Sequence, residues 1–147
     1  MTLLAMTKSE REAFLADLHV GVISIEQGDA PPLSAPIWYD YTPQTGVWII
    51  TEAESAKGRL LRKVGRFSLV AQNEEPPNYQ YVSVEGPIIE TRPPDLERDR
   101  RPMAHRYLGA ELGDAYLAAT RYEDLLVFVM QPKRWRTVDY GKNTARS

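Results

Sequence analysis

Residues 48–67 read WIITEAESAKGRLLRKVGRF and contain a strand, a short polar turn and a helix in immediate succession. The run at residues 46–51 is rich in β-branched and aromatic side chains, which favour strands. Apolar side chains then recur at helical spacing over residues 55–65, where Ser55 is placed to cap the first turn and Gly65 to end the helix. The segment is therefore predicted to form a strand–turn–helix unit.

The helix in this segment concentrates positive charge. Residues 57–66 hold five cations and no acid in a chain of net charge −2; they are Lys57, Arg59, Arg62, Lys63 and Arg66. A helix N-terminus that has a serine cap and a lysine two residues later can hold a phosphate, because its free N–H groups carry partial positive charge. No glutamate within the cluster stands at helical spacing to cancel the charge, which favours an anionic partner. The alternative is a solvated face, to which we assign Arg66.

Length and composition narrow the class of protein. The 147 residues, 43% of them hydrophobic and 26% charged, predict one globular domain over residues 1–147. No apolar run approaches the roughly 18 residues of a membrane span, and the first residues lack the pattern of a signal peptide, so we expect a cytoplasmic protein without a membrane partner. The absence of cysteine and the presence of only two histidines argue against a metal site. A pI near 5.7 argues against a nucleic-acid partner.

The remaining pattern predicts a small antiparallel barrel with flanking helices. Six strand-like runs are joined mostly by short turns, with no repeated βαβ pattern. We expect strands at residues 20–26, 33–41, 46–51, 66–73, 79–91 and 125–130, the fifth of them bent at Gly86-Pro87. Helices are expected at residues 8–18, at 55–65 and at 103–120, the last with a break near Gly109. Residues 91–102 should form a charged connection whose acids and arginines are solvated and paired with one another.

The order WIIT, polar turn, S-x-K-G-x-L resembles the cofactor-binding segment of the pyridoxamine 5′-phosphate oxidase-like split-barrel superfamily. The matching residues here are Ile49, Ile50, Thr51, Ser55, Lys57, Gly58 and Leu61. The hairpins before this segment, the strands after it and AHRYLG at residues 104–109 follow the same order, so the resemblance covers almost the whole chain. It implies a six-stranded split barrel that forms a homodimer, with two cofactor sites in the clefts between the subunits.

The resemblance also implies a cofactor, either FMN or the deazaflavin coenzyme F-420. Both carry a tricyclic ring and a phosphate, so Ser55, Lys57 and Gly58 suit either. In the family's arrangement the ring would be lined by Ser34, Pro36, Trp38, Ile50 and Thr51. F-420 continues past its phosphate into a polyglutamate tail, which extra cations near the phosphate would attract. Since Arg59, Arg62 and Lys63 could supply those cations, we prefer F-420.

Two further stretches bear on the activity. Pyridoxamine phosphate oxidases proper end with an Arg-Leu-x-Pro motif, whereas this chain ends its last strand region with WRTVDYGK, residues 135–142. Vitamin B6 oxidation is therefore disfavoured, and Trp135 and Asp139 resemble instead the Trp-x-x-x-Asp ending of F-420-dependent reductases in the superfamily. His105 on the late helix is interpreted as a surface or interface residue.

The sequence thus predicts an oxidoreductase that transfers a hydride from reduced F-420 to a small organic acceptor. An FMN-binding oxidase or reductase of the same fold is the near alternative. From another class, a non-catalytic carrier of a cofactor or of haem would use the same barrel, and a plain dimerisation domain would need no ligand at all. No residue pattern assigns a catalytic side chain.

Overall fold

The computed structural model describes residues 3–120 and 123–144. Its strands form one antiparallel sheet that curves without closing. The strands are β1 (Gly21–Gln27), β2 (Ala30–Ile37), β3 (Asp40–Thr42), β4 (Gly46–Glu52), β5 (Arg66–Asn73), β6 (Gln80–Arg92), β7 (Leu125–Met130) and β8 (Arg134–Asp139). The helices are α1 (Lys8–Ala16), α2 (Ala56–Val64), α3 (Arg101–Ala119) and α4 (Gly141–Thr144), with a π-helical turn at Leu96–Arg100.

The long strand β6 joins the two halves of the sheet. Its first half pairs with β5 on one side and β8 on the other, and its last residues pair with β7. The change of partner occurs at Gly86-Pro87, where the β7–β8 connection crosses so closely that a Cβ on Gly86 would lie 1.8 Å from the Gln131 carbonyl oxygen. The predicted bend is confirmed, and only glycine can occupy it.

The core is made by side chains from the concave side of the sheet and from two helices. Ile23 of β1, Ile49 of β4 and Phe128 of β7 are fully buried there, together with Leu15 of α1 and Leu61 of α2. Because α2 buries Leu61 in this core, the start of the helix is held in a defined position against the end of β4. That position matters for the candidate site.

The barrel prediction is confirmed, but the number of strands was wrong: the described residues form eight strands. The predicted strand over residues 33–41 is two strands, because the backbone of Tyr39 bonds to a side chain instead of a neighbouring strand. Tyr39 N–H donates to the Tyr107 hydroxyl at 3.0 Å, and that hydroxyl lies 2.5 Å from the His19 carbonyl oxygen. The second addition is β8, which follows the last predicted strand and pairs with β6.

The connection at residues 91–102 was also expected to be solvated throughout, and this was wrong for one acid. Asp99 is 3% exposed and accepts two hydrogen bonds from Arg92, at 2.6 and 2.8 Å. These bonds lower the pKa of Asp99. Asp99 lies in a π-helical turn that is capped by Asp95. This turn leads directly into α3. The expected break in α3 is confirmed at Gly109, whose φ is 79°.

Candidate functional site

The junction of β4 and α2 is built around the Ser55 hydroxyl. Ser55 Oγ accepts a hydrogen bond from the Gly58 N–H at 3.1 Å and donates to the Glu52 carbonyl oxygen at 2.7 Å. The single hydroxyl hydrogen is therefore used within the turn. The N–H groups of Ala56 and Lys57, which have no acceptor within the helix, are the donors that this N-terminus can present to an anion.

Gly58 has a structural role at the same junction. A Cβ at this position would lie 2.0 Å from the Glu52 carbonyl oxygen and 2.8 Å from that of Ala53. Any side chain would push the first turn of α2 away from the end of β4. The glycine of the S-x-K-G pattern thus allows the helix N-terminus to lie directly beside the strand.

A cavity of about 320 Å³ opens beside this N-terminus. We call it the Lys57 cavity; the residues that concern the site are Val20, Pro36, Trp38, Ile50, Thr51 and Lys57. Its lining is apolar apart from Thr51 and Lys57. Lys57 has no ion pair among residues 3–120 and 123–144. The cavity can therefore receive a flat apolar group that carries an anion at one end.

Ser34 lies on the same strand as Pro36 but not among the residues that line the cavity. Its hydroxyl lies 3.0 Å from that of Ser24 on the exposed face of the sheet. Five of the expected residues, in contrast, meet at the Lys57 cavity; they are Pro36, Trp38, Ile50, Thr51 and Lys57.

The cations of residues 57–66 divide into those that pair with an acid and those that do not. Arg62 donates to the Ala53 carbonyl oxygen at 2.6 Å and to Glu54 at 3.0 Å, and Arg66 pairs with Glu26. The expectation that the charge of the cluster is uncancelled was therefore wrong for these two, because acids outside the helix reach them. Arg59 and Lys63 have no ion pair within the described part of the chain, so with Lys57 they leave three uncancelled positive charges.

A second cavity, of about 190 Å³, lies beyond Trp38. We call it the α3 cavity, because Met103, Ala104, Tyr116 and Leu117 of that helix line it. It shares Trp38, Ile50 and Thr51 with the Lys57 cavity, and it also contains Glu52 and Arg100. Sequence reasoning missed its α3 residues and placed Arg100 in a solvated linker, since nothing in the local pattern indicates which turn of the chain packs on β4.

Trp38 lines both cavities and is held by two tyrosines. Its ring stacks on Tyr107 with centroids 4.8 Å apart and planes 5° apart, and it meets Tyr116 at 5.7 Å in a tilted arrangement. Because Tyr107 is itself bonded to the backbone at Tyr39, the indole has little freedom to rotate. Both cavities are therefore lined by an aromatic side chain that is held in one orientation.

The three residues for which the sequence left a role open lie elsewhere. His105 Nε2 is 2.7 Å from Asp114, and this hydrogen bond lowers the pKa of Asp114. Trp135 packs edge-on against Tyr41, with the Arg11 guanidinium 4.6 Å from its ring centroid. Asp139 accepts from the Gly141 N–H at 2.9 Å. The His105–Asp114 contact links the two parts of α3 on either side of Gly109, and the contacts of Trp135 and Asp139 join different elements of the fold.

Across residues 3–120 and 123–144, no group of three or more histidine and acidic side chains is arranged to hold a metal ion. Within the same ranges, no helix combines the length and the apolar character needed to cross a bilayer.

The chain was compared with known proteins. No family model and no curated protein matches it. Among solved structures, a conserved hypothetical protein from Mycobacterium tuberculosis has a TM-score of 0.78 at 22% identity, covering 98% of this chain and 91% of that one. An F-420 reductase has a TM-score of 0.59 at 18% identity, and the match covers 85% of this chain and 94% of that one. A candidate pyridoxamine 5′-phosphate oxidase from Listeria innocua has a TM-score of 0.62 at 15% identity, and the match covers 85% of this chain and 92% of that one.

The fold is the split β-barrel of pyridoxamine 5′-phosphate oxidase-like proteins. The same split barrel occurs in a haem storage protein from Vibrio cholerae, with a TM-score of 0.63 at 14% identity over 90% of this chain and 94% of that one. Proteins named for a deazaflavin and for haem thus share this barrel. The residues of the cavities, and not the fold, must decide the ligand.

Proposed function

We propose that this split barrel is a homodimeric oxidoreductase that uses reduced coenzyme F-420 to deliver a hydride to a small organic acceptor. The observation that carries the proposal is the Lys57 cavity. Its apolar walls of Trp38, Ile50 and Pro36 suit a tricyclic ring, and Lys57 with the α2 N-terminus suits a phosphate at one end.

The chemistry required of the protein is modest. The cofactor supplies the hydride, and the chain must hold the ring, exclude water and neutralise the phosphate. Trp38 and Ile50 would exclude water from one face of the ring. Lys57 would form a charge-assisted bond to the phosphate, alongside the N–H groups of Ala56 and Lys57. Since hydride transfer itself needs no acidic or basic side chain, the lack of a histidine or acid in the Lys57 cavity is compatible with this role.

The uncancelled cations favour F-420 over FMN. Arg59 and Lys63 lie on the same helix as Lys57 and have no acid to pair with among the described residues. A polyglutamate tail that passes along α2 would find these charges, whereas FMN ends at its phosphate and would leave them unused. The likeness to an F-420 reductase supports the same choice.

The rival proposal is a haem carrier, which the likeness to a haem storage protein suggests. Haem iron in proteins is commonly held by histidine. His19 Nε2 is bonded to the Phe14 carbonyl oxygen at 3.0 Å and its ring stacks on Phe14, and His105 is bonded to Asp114. Neither imidazole lines the Lys57 cavity or the α3 cavity, so the residues favour the deazaflavin.

The first test is to titrate the purified protein with F-420 and with FMN separately and to follow cofactor fluorescence. We expect saturable binding of F-420, tighter than that of FMN. Tighter binding of FMN would make FMN the cofactor in this proposal. If neither cofactor binds and the protein binds haem, which is followed by absorbance, the haem carrier is favoured. A response to none of the three would favour a plain dimerisation domain.

The dimer is proposed from the exposed face of the sheet around β1. The side chains of Pro36, Val22, Val70 and Ser83 lie in one row across four strands. They are small and uncharged, and Val22 is 39% exposed. The Lys57 cavity opens beside this row at Val20 and Pro36. A second copy seated here would cover apolar surface and complete the wall of the cavity.

We expect Val22→Lys to shift the protein from about twice its chain mass of 16.7 kDa to the chain mass itself, because a buried unpaired charge opposes association. Light scattering after size exclusion measures the change. The matched control is Leu112→Lys, since Leu112 is also exposed but lies on α3, and it should remain dimeric. A monomeric wild-type protein, or a dimeric Val22→Lys variant, would contradict this interface.

A further inference from the structure

We propose that the α3 cavity is the acceptor site and that it takes a small, flat monocarboxylate whose anion pairs with Arg100. The inference rests on the proposed function in one respect, namely that an acceptor must lie next to the cofactor ring. The two cavities share Trp38, Ile50 and Thr51. A molecule in the α3 cavity would therefore lie beside the Lys57 cavity, at the residues that line both.

Neither Arg98 nor Arg100 has a side-chain hydrogen bond or ion pair among residues 3–120 and 123–144, but of the two only Arg100 lines the α3 cavity. Arg92 is paired with Asp99, Arg101 with Glu97 and Asp114, and Arg106 with Asp40. Over the described residues no hydrogen bond or ion pair involves the Arg100 side chain. A guanidinium that lines a cavity and forms no ion pair is suited to bind an anion.

The surroundings of Arg100 define how the anion would enter. Arg100 lines the α3 cavity and also the surface cleft formed by Ala53, Pro93 and Asp124. It thus stands where the cavity meets the surface. An anion paired there would remain near solvent, while the apolar part of the acceptor extends inward against Met103 and Leu117.

Charge in the cavity limits the anion to a single negative charge. Glu52 is the only acid that lines the cavity in the described part of the chain, and Arg100 the only cation. The glutamate would repel a second negative charge, so a phosphate dianion is disfavoured and a carboxylate is favoured. The volume of about 190 Å³ is below the roughly 300–1,000 Å³ of drug-sized sites, so the acceptor is small.

The reaction balances with these components. A conjugated carbon–carbon double bond in the acceptor would receive a hydride, with its two electrons, at one carbon and a proton from water at the other. The acceptor is thereby reduced to the saturated compound, and the reduced deazaflavin that supplies the hydride is oxidised. No catalytic residue is assigned to the proton, and Arg100 acts by binding and orienting the carboxylate.

The test uses trans-cinnamate as the probe and cinnamamide as its neutral counterpart, with binding to the full chain measured by calorimetry. We expect cinnamate to bind at least about fivefold more tightly than cinnamamide, the size of effect that a charge-assisted bond at a partly exposed site can give. In Arg100→Gln the preference should disappear, and in Arg100→Lys it should be retained in part. Arg98→Gln is the matched control, because Arg98 is on the same turn, exposed and outside both cavities, and its preference should equal that of wild type.

Equal binding of the two probes by wild type, or an undiminished preference in Arg100→Gln, would overturn the assignment. Thermal unfolding of each variant establishes whether it folds. If Arg100→Gln does not fold, the partial loss of preference expected in Arg100→Lys still tests the assignment. The measurements are made with and without F-420. If F-420 fails to bind while the Arg100-dependent preference persists, the proposed cofactor is wrong and the anion site stands. If F-420 binds and the preference is absent, only the acceptor site is wrong.

Discussion

Gly58→Ala is expected to weaken cofactor binding by more than about tenfold and to lower the free energy of unfolding by about 2–3 kcal/mol, as overpacking a tight contact does. The new methyl group would lie 2.0 Å from the Glu52 carbonyl oxygen, which is backbone and cannot rotate away. The first turn of α2 must therefore move, and with it the N–H groups of Ala56 and Lys57. Denaturant unfolding and fluorescence titration with F-420 measure the two effects.

Gly65→Ala is the control for this prediction, because it alters the other end of the same helix. Gly65 has φ of +74°, and a Cβ added there would meet no atom within 4 Å, so the substitution costs about 1–2 kcal/mol of left-handed strain and leaves the site in place. We expect the cofactor affinity of Gly65→Ala to equal that of wild type. Wild-type affinity in Gly58→Ala would show that the close approach of α2 to β4 is not needed for binding.

Lys57→Ala is expected to raise the dissociation constant of the cofactor by at least about tenfold, since a hydrogen bond to a charged group is typically worth roughly 1.5–3 kcal/mol. The side chain is the one cation of α2 that lines the Lys57 cavity, and no acid within the described ranges competes for it. The effect should shrink as salt is added, because the interaction is between charges near the surface. Titration of wild type and variant at two ionic strengths measures both quantities.

Arg62→Ala provides the matched comparison for Lys57. The Arg62 guanidinium is already bonded to Ala53 and Glu54, so its removal should change cofactor affinity by less than about threefold.

Arg59→Ala should weaken the binding of F-420 with a long glutamate tail more than the binding of F-420 with a short tail. Equal losses in Lys57→Ala and Arg62→Ala would mean that the whole basic face, and not a phosphate site at Lys57, binds the cofactor.

Part of the architecture could be predicted because its causes are local. The β-branched and aromatic residues of β4, the Ser55 cap and the Gly65 stop act within a few residues of one another, so the strand–turn–helix unit follows from the sequence. The bend at Gly86-Pro87 was predicted for the same reason. The break between β2 and β3 could not be, because the hydroxyl that binds the Tyr39 backbone belongs to Tyr107, 68 residues away.

The candidate site divides in the same way. The type and order of residues at the start of α2 indicated a phosphate, since a helix N-terminus carries its free N–H groups wherever it lies. Whether each cation forms an ion pair depended on acids outside the helix, because Glu54 pairs with Arg62 and Glu26 pairs with Arg66. Arg100 was assigned to a solvated loop, because the burial of its neighbour Asp99 by Arg92 became visible only when β6 and the π-helical turn were packed together.

By itself the sequence determined the helix that holds Lys57 and the strand before it, because caps, turns and side-chain periodicity act over one or two turns of chain. The tertiary structure alone decided that Trp38 of the β2–β3 connection and Ile50 of β4 form a wall shared by two cavities, and that Arg100, unpaired within the described residues, stands at the mouth of one of them. Cavities and ion pairs arise between segments far apart in sequence, and their geometry follows from how the sheet curves and which helix packs on it.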